Sequence, residues 1–74
     1  MSARTQYHVV PDGAGWKVEH GSKVDGTYPT KSEAIEGGRS IAKSNMPSQL
    51  VVHTADGKIE NESTYQDDPF PPAG

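Results

Sequence analysis

The stretch "TYPTKSEAIEGGRSIAK", residues 27–43, decides how this chain folds. Pro29 keeps Tyr28 extended, and Thr30 followed three residues later by Glu33 is a capping-box pattern, so a helix is expected from Lys31 to about residue 45, ended by Pro47. At 100° per residue, Ala34, Gly38, Ile41, Ala42 and Asn45 fall in one narrow arc, with Ile35 and Met46 at its edge. Glu33, Glu36, Arg39, Ser40 and Lys43 lie opposite. The apolar face is therefore small as well as apolar. Ala34, Gly38 and Ala42 recur every four residues and form a shallow row, which lets the helix axis come close to a sheet bearing the bulk of Tyr7, Trp16 and Tyr28. Gly38 is expected to be glycine because an aromatic ring lies against it. Gly37 falls outside the arc, and the sequence offers no packing reason for it. Each glycine costs about 1 kcal/mol relative to alanine inside a helix, so something other than propensity keeps the pair.

Working outward, the flanking segments read as short strands separated by glycine and proline. "QYHVV" (6–10) and "WKVEH" (16–20) form a hairpin across "PDGAG" (11–15), with Trp16 and Val18 on one strand face and Lys17 and Glu19 on the other. Gly21 offers a second reversal into "SKVDGTY" (22–28), a weaker strand burdened by Asp25 and Gly26. Beyond the helix, "QLVVHTADGKIENESTY" (49–65) reads as another hairpin around Asp56 and Gly57. A two-residue turn there pairs His53 with Glu60 and puts Leu50, Val52 and Ile59 on one face. A three-residue turn pairs His53 with Ile59 and shifts the later pairings by one. The first keeps the apolar set together and is preferred. The expected architecture is a single α+β domain over residues 1–74, in the order β-β-(β)-α-β-β. Its antiparallel sheet of four or five short strands is covered on one face by the helix. Residues 1–5 and 66–74 are read as extended terminal segments, the latter, "QDDPFPPAG", tied down by Phe70.

A chain of 74 residues removes only about 60% of its unfolded surface from water on folding. With no cysteine, disulfide staples and thiolate metal sites are excluded, which suits a reducing cytoplasm. No secretory h-region is present, and no run approaches the roughly 18 apolar residues of a membrane span. The net charge of −3 is uneven: residues 1–53 carry six basic side chains against five acidic ones, and residues 54–74 carry Lys58 against five acidic ones. A non-specific nucleic-acid binder neutralises phosphates with a basic excess, and this chain lacks one.

Taken in order, "YHVVP", "GWKVEHG", "YPTKSEAIEGGRSIAK", "LVVHTADGKI" and "TYQDDPFPPAG" resemble the bacterial domain-of-unknown-function family 2188 across residues 7–74. The resemblance implies a compact bacterial domain, with a phage or mobile-element setting in view. It carries over no catalytic or binding residue, because the family has no assigned activity.

Function must then be read from the residues. His8, His20 and His53 lack metal-ligand spacing, although His8 and His53 alternate with strand valines and could meet on one sheet face. No serine or threonine sits in a nucleophile elbow, and the pairs Glu60/Glu62 and Asp67/Asp68 read as solvated charge. "DGAG" precedes a strand rather than a helix, so it does not cradle phosphate. No catalytic residue, metal or cofactor is expected. The reading is a non-catalytic protein-interaction or accessory module, its candidate surface marked by Lys17, Val51, His53 and Phe70. Self-association through the open sheet face or edge is one form of it; a P-x-x-P at Pro69–Pro72 is another. The alternative is nucleic-acid binding through Lys31, Arg39 and Lys43 on the outer helix face, opposed by Glu33 and Glu36 on that same face.

Overall fold

A computed structural model describes residues 4–65. The fold is α+β: β1 (Thr5–Asp12), β2 (Gly15–His20) and β3 (Lys23–Tyr28) lead into α1 (Lys31–Ser44), followed by β4 (Ser48–His53) and β5 (Ile59–Tyr65). Both early reversals are two-residue turns with glycine at positive φ, Gly13 (φ 60°) between Asp12 and Gly15 and Gly21 (φ 58°) between His20 and Lys23. β1 begins at Thr5, inside the stretch expected as a terminal arm.

The expectation of an antiparallel sheet is corrected. Five strands form a mixed sheet in the order β3-β2-β1-β4-β5, in which β1 and β4 run parallel, Tyr7 beside Leu50 and Val9 beside Val52. The physical reason is the helix. It carries the chain back across the sheet, so β4 enters in the direction of β1 and pairs with the edge that the first hairpin leaves free. Two antiparallel units are thereby joined at a parallel seam. Four core side chains lie along the seam, Tyr7, Val9, Leu50 and Val52, and Val18, Ala34 and Ala42 complete the cluster.

Helix geometry follows the sequence at its start. Thr30 is the N-cap, and its hydroxyl accepts the Glu33 amide at 3.2 Å. At the other end the Asn45 side chain donates to the Ile41 carbonyl at 2.8 Å, and Pro47 follows through a cis peptide. The fully buried Ser48 hydroxyl opens β4 by donating to the Ala42 carbonyl at 2.6 Å. The row Ala34, Gly38, Ala42 is buried as expected.

The two glycines, however, exchange their expected roles. A Cβ on Gly38 would meet aliphatic atoms, Leu50 Cδ1 at 2.9 Å and Val18 Cγ2 at 3.3 Å. The ring lies instead against Gly37, where a Cβ would overlap the Tyr28 hydroxyl and come within 2.8 Å of Cε1. The same ring crosses Gly26 on its own strand, where a Cβ would stand 2.8 Å from the Tyr28 hydroxyl. Gly26 and Gly37 therefore leave room for one tyrosine between β3 and the helix. Trp16 and Tyr28 both pack on the core while half-buried.

The β4–β5 hairpin combines the two expected registers. The turn has three residues, closed by the Thr54 amide donating to the Lys58 carbonyl at 2.7 Å, with Gly57 at φ 94°. His53 accordingly pairs with Ile59, not with Glu60 as preferred. A bulge then inserts Glu60, and from Val52 paired with Asn61 onward the arms follow the preferred register. Ile59 is thus separated from Leu50 and Val52 and is 58% exposed.

The clash at residue 37 is testable by a double-mutant cycle. Gly37→Ala is expected to destabilise the domain by about 1–3 kcal/mol in urea unfolding, because Tyr28 must be displaced. In a Tyr28→Ala background the same change is expected to stabilise by up to about 1 kcal/mol, the ordinary helix-propensity gain.

Candidate functional site

Side chains alternate across strands, so the face turned away from the helix can be read row by row. One row runs Val24, Glu19, His8, Val51, Glu62 across all five strands. The next holds Thr27, Lys17 and Val10 and continues to His53 and Ile59. On the other side lie Gln6, Gln49 and Thr64. Lys17, Val51 and His53 therefore do share one face. Phe70 and the P-x-x-P lie outside the described residues. Val51 is buried at 4% exposure, which makes it part of the floor of this face and not a protruding contact. Val24 (48%) and Ile59 (58%), at the two flanks, are the large apolar groups this face presents to solvent.

Polar groups on the face are organised among themselves. Gln6 donates to Gln49 at 3.3 Å, Gln49 donates to Glu62 at 2.9 Å, and Lys17 stands 3.4 Å from Glu19. At the centre, His8 Nδ1 and His53 Nε2 are 3.0 Å apart, and their rings are tilted by 32° with centroids 5.2 Å apart. His53 Nδ1 lies 3.3 Å from the Gly57 carbonyl oxygen. A carbonyl only accepts, so His53 Nδ1 carries the hydrogen, and the neutral ring is left with a bare lone pair on Nε2 that faces His8. Burial, and then the neighbouring His53, lower the His8 pKa from the usual 6.5, against a smaller raising effect of Glu19. A lowered histidine pKa means that below about 6.5 the unfolded chain takes up a proton that the folded chain refuses.

A second pairing was not found by sequence reasoning. On the helix side, His20 Nδ1 is 2.5 Å from the Asp25 carboxylate, and the His20 ring meets Tyr7 edge-on at 5.0 Å. The irregularity between Val18 and Glu19 leaves Asp25 unpaired as the extra residue of β3, which frees its side chain to reach across the turn. Burial, and then the charge of Asp25, raise the Tyr7 pKa. The available signal was the five-residue spacing of His20 and Asp25 around a Gly21 turn, which places an imidazole and a carboxylate on adjacent strands.

The basic residues proposed for nucleic acid are divided, with Arg39 and Lys43 on one surface and Lys31 apart from them. Lys31, at the helix start, pairs with the bulged Glu60 and lies 5.4 Å over the Trp16 ring. Lys43 sits near the far end of the helix, 6.0 Å over Tyr65. Arg39 shares its exposed surface with Glu36, Ser40 and Lys43. Among the described residues, no group of three or more histidine, cysteine or acidic side chains is placed to hold a metal ion. No described helix is long and apolar enough to cross a membrane.

Residues 7–65 match a family described as an uncharacterized protein conserved in bacteria, DUF2188. The chain belongs to this family. The DUF2188 match runs from the third residue of β1 to the end of β5, so it takes in the helix, both bulges and the histidine pair. The chain is also similar to the uncharacterized protein YycD of Bacillus subtilis (strain 168), at 32% identity over 63 residues, which covers 81% of this chain and 96% of that protein. No solved structure matches it.

Because His8 resists protonation in the folded state, stability is expected to be undiminished above about pH 6.5 and to fall as the pH drops below it. Urea unfolding of the parent chain and of His8→Gln at neutral and mildly acidic pH checks this. The parent is expected to lose more stability on acidification than the variant; equal losses would count against the neutral pair.

Proposed function

We propose that this chain is a non-catalytic protein-interaction module that works through the uncovered face of its sheet, and that the partner of that face is a second copy of the chain. The observation that carries the reading is the placement of Val24 and Ile59, both exposed, on opposite flanks of a face whose floor is apolar at Val10 and Val51. A two-fold axis along the strands exchanges the flanks. It lays the β3 flank that bears Val24 in one copy over the β5 flank that bears Ile59 in the other, and brings the two β1 strands, with Val10, together at the centre.

The area is sufficient for such a pair. Strands about 4.8 Å apart, each contributing some six residues of about 3.3 Å, give a face of roughly 24 by 20 Å. Two such faces packed as a sandwich bury on the order of 1,000 Å², near the lower bound for a specific interface. A bacterial cytoplasmic setting, with no cysteine in the sequence, agrees with this role.

Light scattering across a concentration series tests it. The parent chain is expected to approach twice the monomer mass, and Val24→Lys/Ile59→Lys to remain monomeric with unfolding unchanged to within about 0.5 kcal/mol, as for surface substitutions. A parent that stays monomeric at high concentration overturns the reading. Salt-sensitive binding of labelled DNA or RNA in the same samples would favour the nucleic-acid alternative instead.

A further inference from the structure

We infer that His8 and His53 together form a binding site for a divalent transition-metal ion of the zinc, nickel or copper class, with water completing the coordination. The inference does not depend on self-association, since both ligands belong to one chain.

Three features of the pair converge on it. The first is distance. Two imidazole nitrogens each about 2.1 Å from one ion stand about 3.0 Å apart when they subtend a right angle and about 3.4 Å apart at the tetrahedral angle. His8 Nδ1 and His53 Nε2 are 3.0 Å apart, the spacing of adjacent ligands in an octahedral or square site, so each ring has only to turn its lone pair from the other nitrogen toward a shared ion. A small opening reaches the tetrahedral spacing.

The second is the hydrogen bond behind His53. Ligating histidines almost always donate their other ring N–H to a carbonyl or carboxylate, which fixes the tautomer and aims the lone pair. The Gly57 carbonyl, 3.3 Å from His53 Nδ1, is placed to do so, and the Nε2 lone pair points into the pair. That carbonyl is positioned by the three-residue turn, in which the Gly57 amide donates back to the Thr54 carbonyl at 2.9 Å.

The third is the position of His8. It is half-buried on the central strand, paired with Glu19 on one side and Val51 on the other, so the backbone that carries the ring is held from both sides. Without an ion, His8 Nδ1–H donates to His53 Nε2. With one, His8 moves its hydrogen to Nε2, and both lone pairs meet the ion. Glu19, paired across from His8 on the same face, supplies a negative charge to the surroundings while remaining beside Lys17. Imidazole donors with water select zinc, nickel or copper over magnesium or calcium, which prefer oxygen.

The test is titration of the full chain with zinc and nickel chloride near neutral pH in a non-chelating buffer. Calorimetry reads the binding, and long-range nitrogen–proton NMR reads the imidazoles. The expected result is one ion per chain, with His8 Nδ1 and His53 Nε2 shifting and His20 unmoved. His8→Gln and His53→Gln should each weaken binding by at least about tenfold, and lowering the pH to about 5.5 should weaken it as well. The Val24→Lys/Ile59→Lys chain, a monomer on the proposed reading, should still bind one ion through the same two nitrogens, which separates this site from the dimer. Because the NMR readout uses the parent, poor folding of a histidine variant leaves the question decidable. Absence of heat and of imidazole shifts at about 1 mM ion, or binding that follows His20→Gln instead, overturns the site and leaves His8 and His53 as a hydrogen-bonded pair only.

Discussion

Everything in this domain depends on how closely one helix can lie on a sheet. A chain this short has few side chains with which to fill a wide gap, so it closes the gap instead. Ala34 and Ala42 bury against the sheet with almost no side chain of their own, and Gly38 lets Leu50 and Val18 rise to within contact of the helix backbone. Gly37 then admits the Tyr28 ring beside the helix. Two glycines weaken the helix in isolation, and both positions are occupied by sheet side chains in the fold. The helical signal and its apparent defect thus have one cause, a backbone that must nearly touch its neighbour.

The outer strands share a second device. Each carries a bulge, and in each the extra residue is acidic: Asp25 on β3 and Glu60 on β5. Both carboxylates then meet a basic side chain, Asp25 with His20 and Glu60 with Lys31. Glu60 so links the edge of the sheet to the start of the helix. A bulge at an edge also breaks the row of free amides and carbonyls that would otherwise template another strand. Association by edge addition is discouraged at both sides of the sheet, which leaves the flat uncovered face as the surface with room for a partner.

Much of this was legible in the sequence because it is local. The N-cap at Thr30, the small-residue row, the glycine turns and the alternation of Lys17 and Glu19 with Trp16 and Val18 each involve residues within a few positions of one another. The direction of β4 was not legible. It depends on which free strand edge the chain meets after crossing the sheet, and the alternation of Leu50 and Val52 is the same for a parallel as for an antiparallel partner. The packing reason for Gly37 was hidden likewise, since helical periodicity describes which way a position points and not which ring will arrive from another strand. On the candidate site, alternation with valines placed His8 and His53 on one face, but the 3.0 Å approach requires the β1–β4 seam and the Gly57 turn together. The His20–Asp25 pair needed a bulge, which composition does not announce.

The parallel seam has a consequence for biosynthesis. β1 is made first yet sits in the middle of the sheet, and the strand that covers its second edge begins 43 positions after it, at Ser48 against Thr5. Until β4 has left the ribosome and docked, the first three strands present Tyr7 and Val9 along an unsheathed border that nothing yet shields. The meander is therefore at its most adhesive before β4 docks, and a chain cut short of Leu50 would be an inviting template for its neighbours.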